Sequence, residues 1–263
     1  MKKLLLALLT AIMLFASGCN IIPENDRLIP ITGGSVSEKK ALLVEFTDQS
    51  CINCPNANAE IDQLKEHFSD TLVVVSIHSN PLPYPLVTKE GNQYEQYFQA
   101  EDHPDGIIDG GCGGKYISHD PQVWGGFILE RLKTAPAVNI NLSAALDESS
   151  EEATINVQLT GRDTLTNAKL QLWIIENNIT QWQLMPDGTR NNDYLHNHVF
   201  RASVNGTWGE SFSIGVAEEK DFNYSYTMPA TWKSEDIKII GFVYNPDTNE
   251  TFNVQEISLI NSK

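Results

Sequence analysis

Cys51-Ile52-Asn53-Cys54 stands between an apolar run and a helical repeat, and that placement constrains the fold of this chain more than any other feature. The run is Ala41-Leu42-Leu43-Val44-Glu45-Phe46. Downstream, Ala57, Ile61, Leu64 and Phe68 recur at the spacing that puts them on one helical face. Thr71 to His78 is almost continuously apolar, as expected of a strand covered on both faces. The pattern predicts a strand over 42–47, a helix over 57–68 and a parallel strand over 71–78, joined by a right-handed crossover. Two thiols with two residues between them can close into a disulfide and reopen, so the pair is a candidate redox centre. A permanent structural disulfide is the alternative. Zinc would need further ligands, and no second C-x-x-C exists to supply them, so no metal is expected.

Pro81, Pro83 and Pro85 break the chain after the second strand, and residues 90–100 read as a short helix. His103 to Asp109 reads as a turn entering a short strand. Gly110-Gly111-Cys112-Gly113-Gly114 reads as a hairpin tip with a free surface thiol, 115–118 as the return strand and 120–133 as a closing helix. Past Thr134-Ala135-Pro136 the apolar pattern changes to period two, as in Thr154-Ile155-Asn156-Val157-Gln158-Leu159. Strands are predicted near 138–144, 154–159, 169–174, 195–204, 209–216, 221–228, 236–239 and 251–259, without helices. That is the pattern of an antiparallel, Ig-like β-sandwich. His196 and His198, two apart on a predicted strand, would share a face, but no third ligand accompanies them and they read as ordinary strand residues. Trp173, Trp182, Trp208 and Trp232 read as packing. No Ser–His–Asp signature and no phosphate-binding glycine loop is present, and no cofactor is expected.

The amino end carries Lys2 and Lys3, an apolar stretch from Leu4 to Phe15, then Ala16-Ser17-Gly18-Cys19. The stretch is too short to span a bilayer as a mature helix and reads as an export signal. With its cysteine it resembles the bacterial lipobox. That resemblance implies cleavage before Cys19, acylation of its thiol and amino group by chains such as palmitate, and sorting to the outer membrane. Residues 1–18 are thus the lipoprotein signal peptide and 19–38 a tether rich in Pro, Gly and Ser. Across the chain, 18 basic residues face 34 acidic ones, for a net charge of −16, which disfavours nucleic acid as a partner.

Residues 39–136 resemble a thioredoxin-like domain, leaving 137–263 for the sandwich. Val44-Glu45-Phe46 lies where that family keeps its buried Val-Asp-Phe strand, and Glu45 stands six residues before Cys51 as the family's buried acid does. Pro104 resembles the cis-proline that faces the disulfide. Ile52-Asn53 departs from the usual Gly-Pro, and Ser50 from the usual aromatic residue. The resemblance implies that Cys51 is the nucleophile at a helix mouth and Cys54 the resolving thiol. It further implies that Glu45 relays a proton and that Pro104 shapes the groove. The whole chain also resembles the outer-membrane protein 28-related lipoproteins of Bacteroidota. The carrying residues are Phe46 to Cys51, Tyr194-Leu195-His196-Asn197-His198-Val199 and Val243 to Val254. This implies a lipid-anchored outer-membrane protein, on the periplasmic face or at the cell surface. Its function is then either thiol–disulfide oxidoreductase activity on the thiols and disulfides of exported proteins, or non-catalytic adhesion to an extracellular or periplasmic protein ligand. Asp70-Thr71-Leu72 and Asp163-Thr164-Leu165 resemble the O-glycosylation signal of such bacteria.

Overall fold

The computed structural model describes residues 38–262, with side chains as far as Leu259. The signal peptide, Cys19 and the tether, apart from Glu38, lie outside the described residues. Strands β1 (Ala41–Thr47) and β2 (Leu72–His78) pair in parallel with Leu43 opposite Val74. Every residue of both strands is buried, which accounts for their nearly unbroken apolar sequence. Helix α1 (Cys54–Phe68) connects them, and its Ala57, Ile61 and Leu64 pack on Ala41, Leu43, Leu72 and Val74. Helix α2 (Lys89–Phe98) follows β2 and starts where the Thr88 hydroxyl accepts the Gly91 N–H. Strand β3 (Asp105–Ile108) lies antiparallel to β1 on its other edge, and the short β4 (Ile117–Ser118) lies antiparallel to β3. Helix α3 (Trp124–Leu132) closes this half, with Trp124 and Ile128 in the core. A Cβ at Gly106 would stand 2.2 Å from the Trp124 indole, so only glycine admits the ring against β3.

The regular structure in the remainder of the described residues is almost wholly strand. In chain order it comprises β5 (Val138–Asp147), β6 (Glu152–Gly161), β7 (Leu165–Glu176), β8 (Ile179–Leu184), β9 (Arg190–His196) and β10 (Val199–Ser203). These are followed by β11 (Glu210–Ile214), β12 (Glu219–Thr227), β13 (Ile237–Tyr244), β14 (Thr251–Ser258) and β15 (Ile260–Ser262). One 4-stranded sheet runs β12-β6-β5-β15, antiparallel except where β15 lies parallel to β5. Its inward residues, among them Ile140, Leu142, Val157 and Leu159, meet Leu172, Ile174 and Ile239 of the facing sheet in one core. The facing sheet runs β14-β13-β7-β10-β2-β1-β3-β4, with β11 also on β7. It is a mixed sheet, because β10 is antiparallel to β7 but parallel to β2, with Val199 opposite Ser76. The fold is therefore mostly β, and the described strands before and after Pro136 belong to one continuous sheet within a single compact unit.

Three local expectations change. The strand predicted over 195–204 is two strands, because His198 takes φ +57 and turns the chain. His196 then packs edge-on against His78, with ring centroids 5.2 Å apart, whereas His198 lies beyond the end of β9 and donates its backbone N–H to the Asn177 side chain. The two imidazoles do not share a strand face. Strand β8, which pairs with β9 as a separate hairpin, has no counterpart among the predicted strands. Lastly, Cys112 is a free thiol in the β3–β4 hairpin connection as expected, but it is half-buried against the core rather than exposed, because the chain turns back through positive φ from Asp109 to Cys112. Among the described residues, no helix is long and apolar enough to cross a membrane.

Candidate functional site

The loop between β1 and α1 carries the cysteine pair. Asp48 organises it: its carboxylate accepts the Ser50 N–H at 3.0 Å and the Ser50 hydroxyl at 2.7 Å, and its carbonyl accepts the Cys51 N–H at 3.1 Å. Asn80 donates to the same carboxylate from the loop after β2. Cys51 and Cys54 are joined in a disulfide. The Cys54 sulfur is wholly buried, Cys51 is half-buried, and Ile52 between them is 41% exposed. Of the two cysteines, Cys51 is therefore the one that reaches the surface.

The helix start is arranged to favour negative charge there. Helix α1 begins with Pro55 in its first turn, no side-chain cap at Asn53 and no acidic residue in that turn. Its first N–H groups and the positive end of its macrodipole are left without a competing carboxylate. The Cys54 N–H already points at the Cys51 sulfur, 3.1 Å away. A thiolate formed at Cys51 would be stabilised by that N–H and by the dipole.

Pro104 is preceded by a cis peptide bond, His103–Pro104, and is itself buried. Asn53 and Asn56 at the helix start, with Asp102, His103, Pro104 and His119, line one open depression. The structure thus brings the cis-proline loop beside the C-x-x-C loop. His103 is tied down by Glu95, 2.8 Å away. Asp105, just after the proline, has its carboxyl pushed up to about 6 by burial, against the pull of His119 and His103.

Glu45 lies in the middle of β1, fully buried, on the same face as Ala41 and Leu43, the residues that contact α1. Ser76 donates its hydroxyl to Glu45 Oε2 at 2.7 Å, while Oε1 has no hydrogen-bond partner among the described residues. Burial raises the carboxyl from 4.5 to about 7, only partly offset by the Ser76 bond. Between those values the native chain holds a proton that the unfolded chain has released. Glu45 therefore favours the fold in full below pH 4.5, and that contribution is lost as the pH rises towards 7. The window corresponds to about 3 kcal/mol. Glu45→Gln does not titrate, so the stability difference between wild type and variant should change by about that amount from pH 4.5 to pH 7.5 in urea titrations. A constant difference across the range would mean that Glu45 is ionised throughout.

Several supporting residues carry no signal in the sequence. The β8–β9 hairpin lies against the cysteine loop. Gln183, 1% exposed, donates its amide to the carbonyls of Cys51 at 3.0 Å and Asp48 at 3.2 Å. Leu184 N–H bonds the Gln49 carbonyl, and the Gln49 amide bonds the Trp182 carbonyl. Asn58 on α1 reaches the Tyr194 hydroxyl on β9. A glutamine in an alternating strand ordinarily reads as a solvent-facing residue, so only the tertiary contact reveals its part. Among the described residues, no group of three or more His, Cys, Asp or Glu side chains is placed to hold a metal. His78 and His196 are both driven towards the neutral form by burial, His196 to about 4.

Several solved structures are similar to this chain. HBP35 of Porphyromonas gingivalis is 18% identical with a TM-score of 0.66, over 86% of this chain and 77% of that one. Protein AGR_C_4864 from Agrobacterium tumefaciens is 15% identical with a TM-score of 0.50, over 87% of this chain and 98% of that one. A domain of the outer membrane lipoprotein Omp28 from Porphyromonas gingivalis is 23% identical, with a TM-score of 0.36, over 48% of this chain and 99% of that one. None of the curated proteins matches the chain. The sequence pattern of one family, described as outer membrane protein Omp28, matches residues 91–263. That span takes in Pro104 and the β8–β9 hairpin but begins after Cys51 and Cys54. Because it covers more than half of the sequence, the chain belongs to the outer membrane protein Omp28 family.

Proposed function

We propose that this outer-membrane protein exchanges electrons with the thiols and disulfides of exported proteins through Cys51 and Cys54. Residues 39–136 act as a thioredoxin-like domain and 137–263 as an Ig-like sandwich that braces it. Acyl chains on Cys19 hold it in the membrane, and each buried methylene contributes roughly 0.8 kcal/mol to anchoring. The observation that carries the reading is the asymmetry of the pair. The accessible sulfur sits at an uncapped helix start beside the cis-proline loop, and the second sulfur is buried behind it.

In the reducing direction, the Cys51 thiolate attacks one sulfur of a partner disulfide. A Cys51–partner bond forms as the partner's S–S bond breaks, and the departing partner sulfur leaves as a thiolate. Cys54 then loses its proton, with Glu45, buried on the α1-facing side of β1, as the proposed acceptor, and attacks the Cys51 sulfur. The Cys51–Cys54 bond closes, the partner's second thiolate leaves, and two electrons have passed from the pair to the partner. The reverse sequence oxidises a partner dithiol. Pro104 and the depression beside it would receive the partner backbone, since proline offers no N–H to compete there. The test is insulin reduction by the dithiol form, together with the reduction potential of the pair. Turnover and a potential near that of other exchange proteins are expected. No turnover, with a potential below about −300 mV, would identify a structural bond instead.

A further inference from the structure

On the face of the large sheet opposite α1 lies a cavity of about 350 Å³ that the thiol chemistry does not use. Its wall is aromatic: Tyr94, Tyr97 and Phe98 from α2, Trp173 from β7, Trp208, and Phe242 from β13. The rings brace one another, with Tyr97 and Trp208 centroids 4.7 Å apart and Trp173 and Phe242 also 4.7 Å apart. The two tyrosine hydroxyls and the Trp173 N–H are already engaged by protein. The Tyr94 hydroxyl accepts the Trp173 N–H at 2.9 Å and lies 2.7 Å from the Ser203 hydroxyl, and the Tyr97 hydroxyl donates to Asn249 at 3.0 Å. The ring surfaces, not the hydroxyls, are what remains to meet a ligand. The mouth is open, because Tyr97 is 49% and Trp208 38% exposed.

One charge enters this wall. Lys169 precedes Gln171 and Trp173 on the same face of β7, and no aspartate or glutamate lines the cavity. The carboxylates on the neighbouring loop are held elsewhere, Asp247 by Asn167 at 2.8 Å and Glu250 by Arg131 at 2.9 Å. Among the described residues Lys169 makes no ion pair, in a chain whose net charge is −16. An ammonium without an ion pair in the wall of an aromatic cavity selects a ligand with a flat apolar body and one negative head.

We propose that this cavity binds a small aromatic carboxylate, its ring system between the α2 tyrosines and the sheet and its carboxylate on Lys169. The probe is 2-naphthoate, compared with the neutral 2-naphthylmethanol, by calorimetry and tryptophan quenching on the full chain. Saturable binding of naphthoate with quenching is expected. Lys169→Gln should weaken naphthoate about tenfold, equivalent to about 1.4 kcal/mol, while leaving the alcohol within about twofold. Added salt should weaken naphthoate alone. Tyr97→Ala, an exposed position at the mouth, should weaken both ligands. The proposal is overturned if naphthoate fails to saturate by about 1 mM. It is equally overturned if Lys169→Gln binds naphthoate as wild type does, or if Tyr97→Ala leaves both affinities unchanged.

Discussion

Cys51→Ser should reduce the rate of disulfide exchange to the level of buffer thiols, a loss of about 100-fold or more. A serine hydroxyl at the same place is not ionised near neutral pH, and the helix start that favours a thiolate has no sulfur to act on. Cys54→Ser should behave differently. Cys51 would keep its place at the uncapped end of α1, with the residue 54 N–H still directed at its sulfur, so attack on a partner disulfide should proceed. The second step would be missing, so the mixed disulfide should persist and be visible as a band on non-reducing gels that dithiothreitol removes. The asymmetry of burial makes this difference specific, because only Cys51 is accessible. Equal behaviour of the two variants, both inert and neither trapping a partner, would show that the pair serves only as a staple. Gln183→Ala offers an intermediate case, since it frees the Cys51 carbonyl without touching either sulfur.

How far the sequence revealed this site depends on the range of the contacts involved. The β1–α1–β2 unit was legible because burial on both faces leaves a continuous apolar run, and because Ala57, Ile61 and Leu64 repeat at helical spacing. The cysteines fall at the helix entrance for the same local reason. Strands after Pro136 were legible from their period of two, as in β6, where buried and exposed residues alternate. The junction between the two halves was not. Val199 sits opposite Ser76 in one sheet, but an apolar strand carries no local mark of which edge it will join. The same limit hid the hairpin that clamps Cys51 through Gln183. It also hid the partial burial of Cys112, whose glycine neighbours suggest an open tip although its side chain packs on the core. Asp109 was read only as the end of a turn and short strand for the same reason, although it pairs with two buried cations.

Asp109→Asn should destabilise the protein by about 3–5 kcal/mol, the usual cost of removing one partner from a buried ion pair. Asp109 has no exposed surface and neutralises two cations, Lys39 at 2.7 Å and Arg131 at 2.9 Å, while also accepting the Leu42 N–H at 2.9 Å. Lys39 and Arg131 each donate in addition to the Thr251 carbonyl, at 3.1 and 3.4 Å. One carboxylate thus joins the chain just before β1, the C-terminal end of α3 and the first residue of β14. The two cations respond unequally. Burial pushes Lys39 below the ordinary lysine value against the pull of Asp109, whereas Arg131 is held above its own value by Asp109 and Glu250 in spite of its burial. Without the Asp109 charge, Lys39 can escape by giving up its proton, but Arg131 cannot and must keep an under-compensated charge. Asparagine retains an oxygen for Leu42 and tolerates the φ of +48 at this position, so the loss reports charge and not backbone strain. Urea denaturation at pH 7 measures it, and a loss under about 1 kcal/mol would show that water reaches the cluster. Lys39→Met in the Asp109→Asn background should recover part of the stability, because it removes one orphaned cation while keeping its volume. If the double variant is as unstable as the sum of the singles, then Lys39 and Asp109 act independently and the carboxylate serves Arg131 alone.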